Sequence, residues 1–207
     1  MVIGRSASLE RLISLGSSPL GPALSSPDEV PEPLWPLLSQ KNGFYAFESA
    51  LHIFPWGTDG KEGAAFWNGD DLWIKEYGEP VRDLTFFAED AFGFQFALGK
   101  NGFWSFDPET AERELICRNI AEWASLIIED FEFRTGFPVM HQWQQANGQL
   151  PAGRRLAPAV PFFLGGEFDA RVMRMKDSVE LLRFRADIYR QVKDLPDGAQ
   201  IKLRIEP

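Results

Sequence analysis

Two pairs of carboxylates carry the plainest chemistry in this chain: Glu89 beside Asp90, and Asp107 two residues before Glu109. Glycoside hydrolysis needs only two such groups, one as acid and one as base or nucleophile. Both pairs fall where strands are expected to end, and acidic residues are ordinary turn formers there. Asp107-Pro108-Glu109-Thr110 reads first as a turn closed by a side-chain hydrogen bond. The other reactive residues have equally plain structural readings. Cys117 lies between Ile116 and Arg118 and reads as a small packed thiol. His52 sits inside the apolar run from Leu51 to Phe54, and His141 lies beside Trp143 on a short helix. One Cys and two distant His offer no metal site. No nucleotide-binding glycine loop and no nucleophile elbow is present. The reading is therefore a non-enzyme without cofactor or metal.

The elements that must position these residues follow from periodicity. The run from Phe44 to Phe54, the alternating Phe94, Phe96 and Leu98, and Phe103 to Phe106 are strand-like. Phe66-Trp67 and Leu72-Trp73-Ile74 flank Asn68-Gly69-Asp70-Asp71, a hairpin composition. These residues predict an antiparallel meander over 44–106 with one aromatic face. Ile120, Trp123, Ala124, Ile127, Ile128 and Phe131 then form one helical stripe. Asn119 is its expected cap, with Glu122 at capping-box spacing, and Gly136 its stop. A shorter helix is expected at 138–146. Asp177 is the expected cap of a last helix with Val179, Leu182, Ala186, Tyr189 and Val192 inward. Ile201, Leu203 and Ile205 alternate as a final strand. Strands first and helices later point to an α+β fold with a mainly antiparallel sheet. The expected division is 1–30, a short amphipathic segment with a Gly-, Ser- and Pro-rich linker; 31–147, a core domain; and 148–207, a C-terminal helix–strand extension packed on it.

Hydrophobic residues make up 44% of the chain, and 18 Phe and seven Trp promise a core of large rings. A single cysteine fits a reducing compartment. No apolar run reaches the ~20 residues that span a bilayer, and Met1 to Leu15 lacks the long apolar centre of a signal sequence. The expected location is the cytoplasm. The net charge of −9 disfavours nucleic acid and anionic membranes and favours a basic protein partner, or simply solubility. Between 83 and 132 there are eleven acids against three basic residues, whereas basic residues lead after 153. Glu129, Asp130 and Glu132 crowd the expected end of the Trp123 helix, where negative charge opposes the helix dipole. These three, with Glu89, Asp90 and Glu109, are the candidate partner-binding residues.

Two stretches, VPEPLWPLLSQKNGFYAFESALHIFP and LTFFAEDAFGFQFALGKNGFWSFDPETAE, resemble the SUKH superfamily, which includes yeast Smi/Knr-like cell-wall regulators and bacterial toxin-immunity proteins. A Pro-containing helix leads to Asn42-Gly43 and the first strand. Asp90 and Gly93 turn the chain between aromatic strands, and Asp107-Pro108 ends the next one. The resemblance covers roughly 31–135. It implies a domain that acts by binding. The leading expectation is an immunity protein that neutralises a basic toxin domain, nucleases among them. The alternatives are a housekeeping scaffold or regulator of cell-wall synthesis and, third, a hydrolase using the paired acids.

Overall fold

The computed structural model describes residues 5–58, 60–196 and 199–200. The expected strand at 201–205 lies outside the described residues. In chain order the elements are α1 (Arg5–Leu15), α2 (Trp35–Leu38), β1 (Phe44–Ala46), β2 (Leu51–Ile53), α3 (Ala64–Trp67), α4 (Lys75–Tyr77), β3 (Thr85–Asp90), β4 (Gln95–Gly99), β5 (Gly102–Phe106) and β6 (Arg113–Cys117). They continue as α5 (Ile120–Glu129), α6 (Phe131–Thr135), α7 (Phe137–Asn147), β7 (Arg154–Pro158), β8 (Met173–Asp177) and α8 (Ser178–Val192). The fold is α+β. The first six strands form one antiparallel meander in the order β1-β2-β3-β4-β5-β6, and β7 and β8 make a separate antiparallel ribbon.

The meander has aromatic residues on both faces, not one. Strand alternation sends neighbouring Phe86 and Phe87 into different clusters, and the register shift between Phe86 and Ala88 leaves Phe87 and Ala88 in the same one. On one side Phe87, Phe96 and Phe103 pack with Trp123 and Ile127 of α5 and Leu9 and Leu12 of α1. Phe87 and Phe96 meet the Trp123 ring edge-to-face at 5.0 and 5.5 Å. On the other side Phe86 and Phe106 pack with Trp67, Trp73 and Tyr77 and with Leu182 and Ala186 of α8. A third cluster joins Phe92, Met140 and Trp143 to Leu156 and Met173 of the ribbon.

Several expectations change for physical reasons. The hairpin at 66–74 is instead α3 followed by irregular helical turns. Asn68 does not turn a hairpin: its side-chain amide donates to the Ala64 and Phe86 carbonyls, and its Oδ1 accepts from the Phe86 amide. It clamps α3 onto the start of β3, which lets Trp67, Trp73 and Tyr77 reach one core. The run 44–54 is two strands, separated by Phe47, Glu48 and Ser49, all at positive φ. The expected linker is tied down along β1: Ser17, Leu20 and Gly21 amides donate to Tyr45, Gly43 and Asn42 carbonyls at 2.8–2.9 Å. That covers one edge of the sheet.

Asn119 caps α5 as expected, accepting from the Glu122 amide at 3.0 Å. The helix ends at Glu129, not 131, and Phe131 opens α6, where its ring stacks on Phe47 at 4.9 Å. Gly136, with φ of 69°, stops α6 rather than α5. Asp177 caps α8 through the Val179 and Glu180 amides. The buried side of α8 is wider than the stripe from Val179 to Val192 and includes Leu181, Arg185 and Ile188.

Trp123 and Ile127 are fully buried. Trp123→Ala is expected to cost about 3–5 kcal/mol, as loss of a large core ring does. The check is the chemical-denaturation midpoint, which must fall clearly below that of the parent.

Candidate functional site

The sheet register places a row of neighbours across all six strands: Tyr45, His52, Glu89, Gln95, Phe106 and Arg113. Glu89, 1% exposed, lies at its centre. His52 Nδ1 is 3.2 Å from Glu89 Oε1, and Arg155 Nη2 of β7 reaches the same oxygen at 2.9 Å. Burial pushes the Glu89 carboxyl up, but the Arg155 charge and the His52 N–H more than offset it, leaving it below its ordinary value. Burial lowers the His52 imidazole below its ordinary value, against the pull of the Glu89 contact. Nδ1 carries the donated proton, and His52 Nε2 has no protein partner. The Tyr45 ring stacks on His52 at 4.2 Å, and its hydroxyl donates to Glu62 at 2.9 Å.

A second buried pair lies near the end of β5. Arg185 Nε of α8 is 3.1 Å from Glu109 Oε1, and Nη1 donates to the Phe92 carbonyl at 2.6 Å. The other Glu109 oxygen accepts from the Phe163 amide at 3.1 Å. Burial raises the Glu109 carboxyl, an effect that Arg185 and this amide reduce. One guanidinium thus joins α8, the β3–β4 turn and the turn after β5. Asp107 forms that last turn as expected, its Oδ1 accepting from the Glu109 amide at 2.7 Å. Asp90 holds the β3–β4 turn, its Oδ1 accepting from Phe92 and Phe94 amides at 2.8 and 2.9 Å. Burial pushes the Asp90 carboxyl up to about 7, against the pull of those amides.

Next to these pairs is an open groove of about 920 Å³. Phe94, Phe96, Ser105 and Ile116 line its sheet side, and residues 132–139 give the facing wall. Phe168 also lines it, its ring stacked on Phe162 at 3.9 Å. Phe133, on the wall, is 83% exposed. Asp107, Glu112, Glu114 and Glu132 lie around it against Arg113 and Arg134. Arg113 is already paired with Asp83 at 2.5 Å, so the groove is apolar within and acidic at its border. Gly136 borders it at positive φ, and a Cβ there would sit 2.3 Å from the Phe92 ring.

The candidate residues therefore divide. Glu89, Asp90 and Glu109 are buried and do not form an exposed acidic face; the sheet turns them inward, where two arginines and the turn amides hold them. Asp90 and Asp107 share the groove, while Glu89 is outside its lining. Glu129, Asp130 and Glu132 are exposed, and Glu132 borders the groove. The dipole conflict narrows to Glu129, because Asp130 is also the N-cap position of α6 and Glu132 lies in its first turn, where negative charge is favourable. Arg155, Arg185, Phe133, Glu112 and Glu114 were not anticipated. Arg185 left one trace: it falls between Leu181 and Ile188 on the buried side of its helix. Cys117 is half-buried with its thiol pushed up to about 11, chiefly by burial. His141 is half-buried and pairs with Glu48 at 2.8 Å. Among the described residues no three His, Cys, Asp or Glu side chains converge on a metal position, and no helix is long and apolar enough to cross a membrane.

Comparison with known proteins gives a fold likeness. The crystal structure of Atu4351 from Agrobacterium tumefaciens matches with a TM-score of 0.59 and 13% identity, covering 89% of this chain and 88% of that one. No protein-family model and no curated protein matches the sequence.

Removing one member of a buried ion pair strands the other charge. Arg155→Met is expected to cost about 3–5 kcal/mol, and adding Glu89→Gln to it should recover most of that loss. Urea unfolding of the two variants checks this. Asp90 gives a pH signature. Its folded pKa of about 7 lies above the ordinary value of about 3.9. Between about pH 4 and 7 the folded state holds a proton that the unfolded state has lost, so this group's contribution to stability falls as pH rises. Asp90→Asn keeps the acceptor oxygen and should gain stability relative to the parent from pH 4.5 to 8. A constant difference across that range would contradict the assignment.

Proposed function

We propose that this chain acts by binding, as an immunity protein that neutralises a basic toxin domain in the cytoplasm. One observation carries the reading: an apolar groove bordered by acids, with Phe133 standing exposed on its wall. Exposed aromatics beside a pocket are the usual anchors of protein interfaces. Acidic borders speed encounter with a basic partner. A toxin that cleaves nucleic acid carries a basic substrate channel, and an acidic insert of this kind would occupy it. The resemblance of 31–135 to the SUKH superfamily supports the same reading. It also supports the scaffold alternative, in which the partner is a host protein of envelope synthesis. Co-purification with the product of an adjacent toxin gene separates the two.

A hydrolase is the second reading, and one observation favours it. Asp90 and Asp107 line the same groove, and Asp90 has the raised pKa of a proton carrier. Against it, Asp90 spends one oxygen on two turn amides and Asp107 one on the Glu109 amide. Glycoside hydrolysis by the parent that Asp107→Asn abolishes would support this second reading.

Glu129, Asp130 and Glu132 changed together to Lys should leave the fold intact. Association with the partner should slow about tenfold or more at low salt, and high salt should erase much of the difference. In a bacterial host this variant should protect poorly at normal abundance. Full protection, with a parental association rate at low salt, would mean these acids are only a solvated face.

A further inference from the structure

The two edges of the six-stranded sheet are treated differently. Residues 17–21 run along β1 and the two residues before it, with backbone hydrogen bonds to Tyr45, Gly43 and Asn42. At the other edge, β6 pairs with β5 alone among the described residues. An uncovered edge strand is a template for pairing with another chain, and proteins usually blunt it. Here the edge opens onto the groove. Glu114 and Ile116 of β6 line it, and Glu114 continues the row of Phe96 and Ser105 across the sheet. A strand added to β6 would extend the same face and direct alternate side chains toward the groove.

We propose that the partner's segment docks by strand addition: an extended, basic stretch pairs with the backbone of β6 and lays alternate side chains into the groove. This rests on the proposal that the groove binds a basic protein. Charge selects the occupant. Glu112 and Glu114 flank the edge, Asp107 and Glu132 also line the groove, and Arg113 is engaged by Asp83, which leaves Arg134 to oppose these acids. A second copy would bring its own Glu112 and Glu114 to the same edge, and like charges opposite one another are destabilising. A segment carrying Lys or Arg meets the complementary field. Backbone pairing supplies affinity with little demand on partner sequence, and the groove supplies selectivity.

The probe is a seven-residue peptide, acetyl-(Lys-Val)3-Lys-amide, titrated against the full chain by calorimetry with hydrogen exchange on β6. Two further versions carry N-methyl groups on either the Lys or the Val amides. An added strand donates alternate amides to its neighbour, so one methylated version should bind at least about tenfold more weakly while the other stays within about twofold of the parent. The parent peptide should protect amides of 113–117, and a Glu-Val analogue should not bind. If both methylated versions bind like the parent while Glu114→Lys weakens all three, the acidic groove stands and strand addition is wrong. If the parent peptide does not bind, or binds Glu114→Lys equally well, both proposals fail. Concentration-dependent dimerisation that protects β6 without peptide would place a second copy there and overturn the basic partner.

Discussion

Two buried arginine–glutamate pairs hold the chain's last third to its sheet. Arg155 comes from the β7–β8 ribbon and meets Glu89 at the centre of the sheet. Arg185 comes from α8 and meets Glu109 just beyond the end of β5. All four side chains are almost fully buried. Such charges are tolerable only together, since each alone would face the cost of leaving water. The pairing therefore sets position more than strength. A ribbon or helix shifted by one residue would strand the two charges of its own pair in an apolar interior. Leu156, Met173, Leu182 and Ala186 add to this, sharing buried clusters with residues of 31–147.

This constraint also sorts the acids of the chain. The excess of negative charge between 83 and 132 suggested a single acidic surface. The sheet instead turns Glu89 inward to Arg155, and the turn after β5 turns Glu109 inward to Arg185. Of those left outside, Glu112 and Glu114 lie just before and in β6 and Glu129, Asp130 and Glu132 around the end of α5. Arg185 also holds the β3–β4 turn, whose Phe92 and Phe94 support the groove. The buried charges build the shape and the exposed ones give it its sign.

Much of the fold was legible because short-range rules decided it. Asn119 and Asp177 cap helices where their spacing placed them, and the strands with Phe94 to Phe106 alternate as the pattern requires. The errors arose where long-range packing outweighed local composition. Asn68-Gly69 has the composition of a turn, but Asn68 is used to bridge α3 and β3. β6 was missed because Arg113-Glu114-Leu115-Ile116-Cys117 does not alternate, as an edge strand need not. The site was less legible than the fold. A carboxylate reads alike in sequence whether it faces water or a buried arginine, and the partners of Glu89 and Glu109 lie 66 and 76 residues further along the chain.

If the two arginine pairs make the last third integral to the core, the molecule opens as one unit. Native-state hydrogen exchange in rising urea tests this directly. The slowest amides of α8 and β7 should exchange with the same free energy of opening as those of β3 and β4, merging with global unfolding. Exchange from α8 and β7 at a clearly lower opening energy, with β3 and β4 still protected, would show a separable extension and contradict the account.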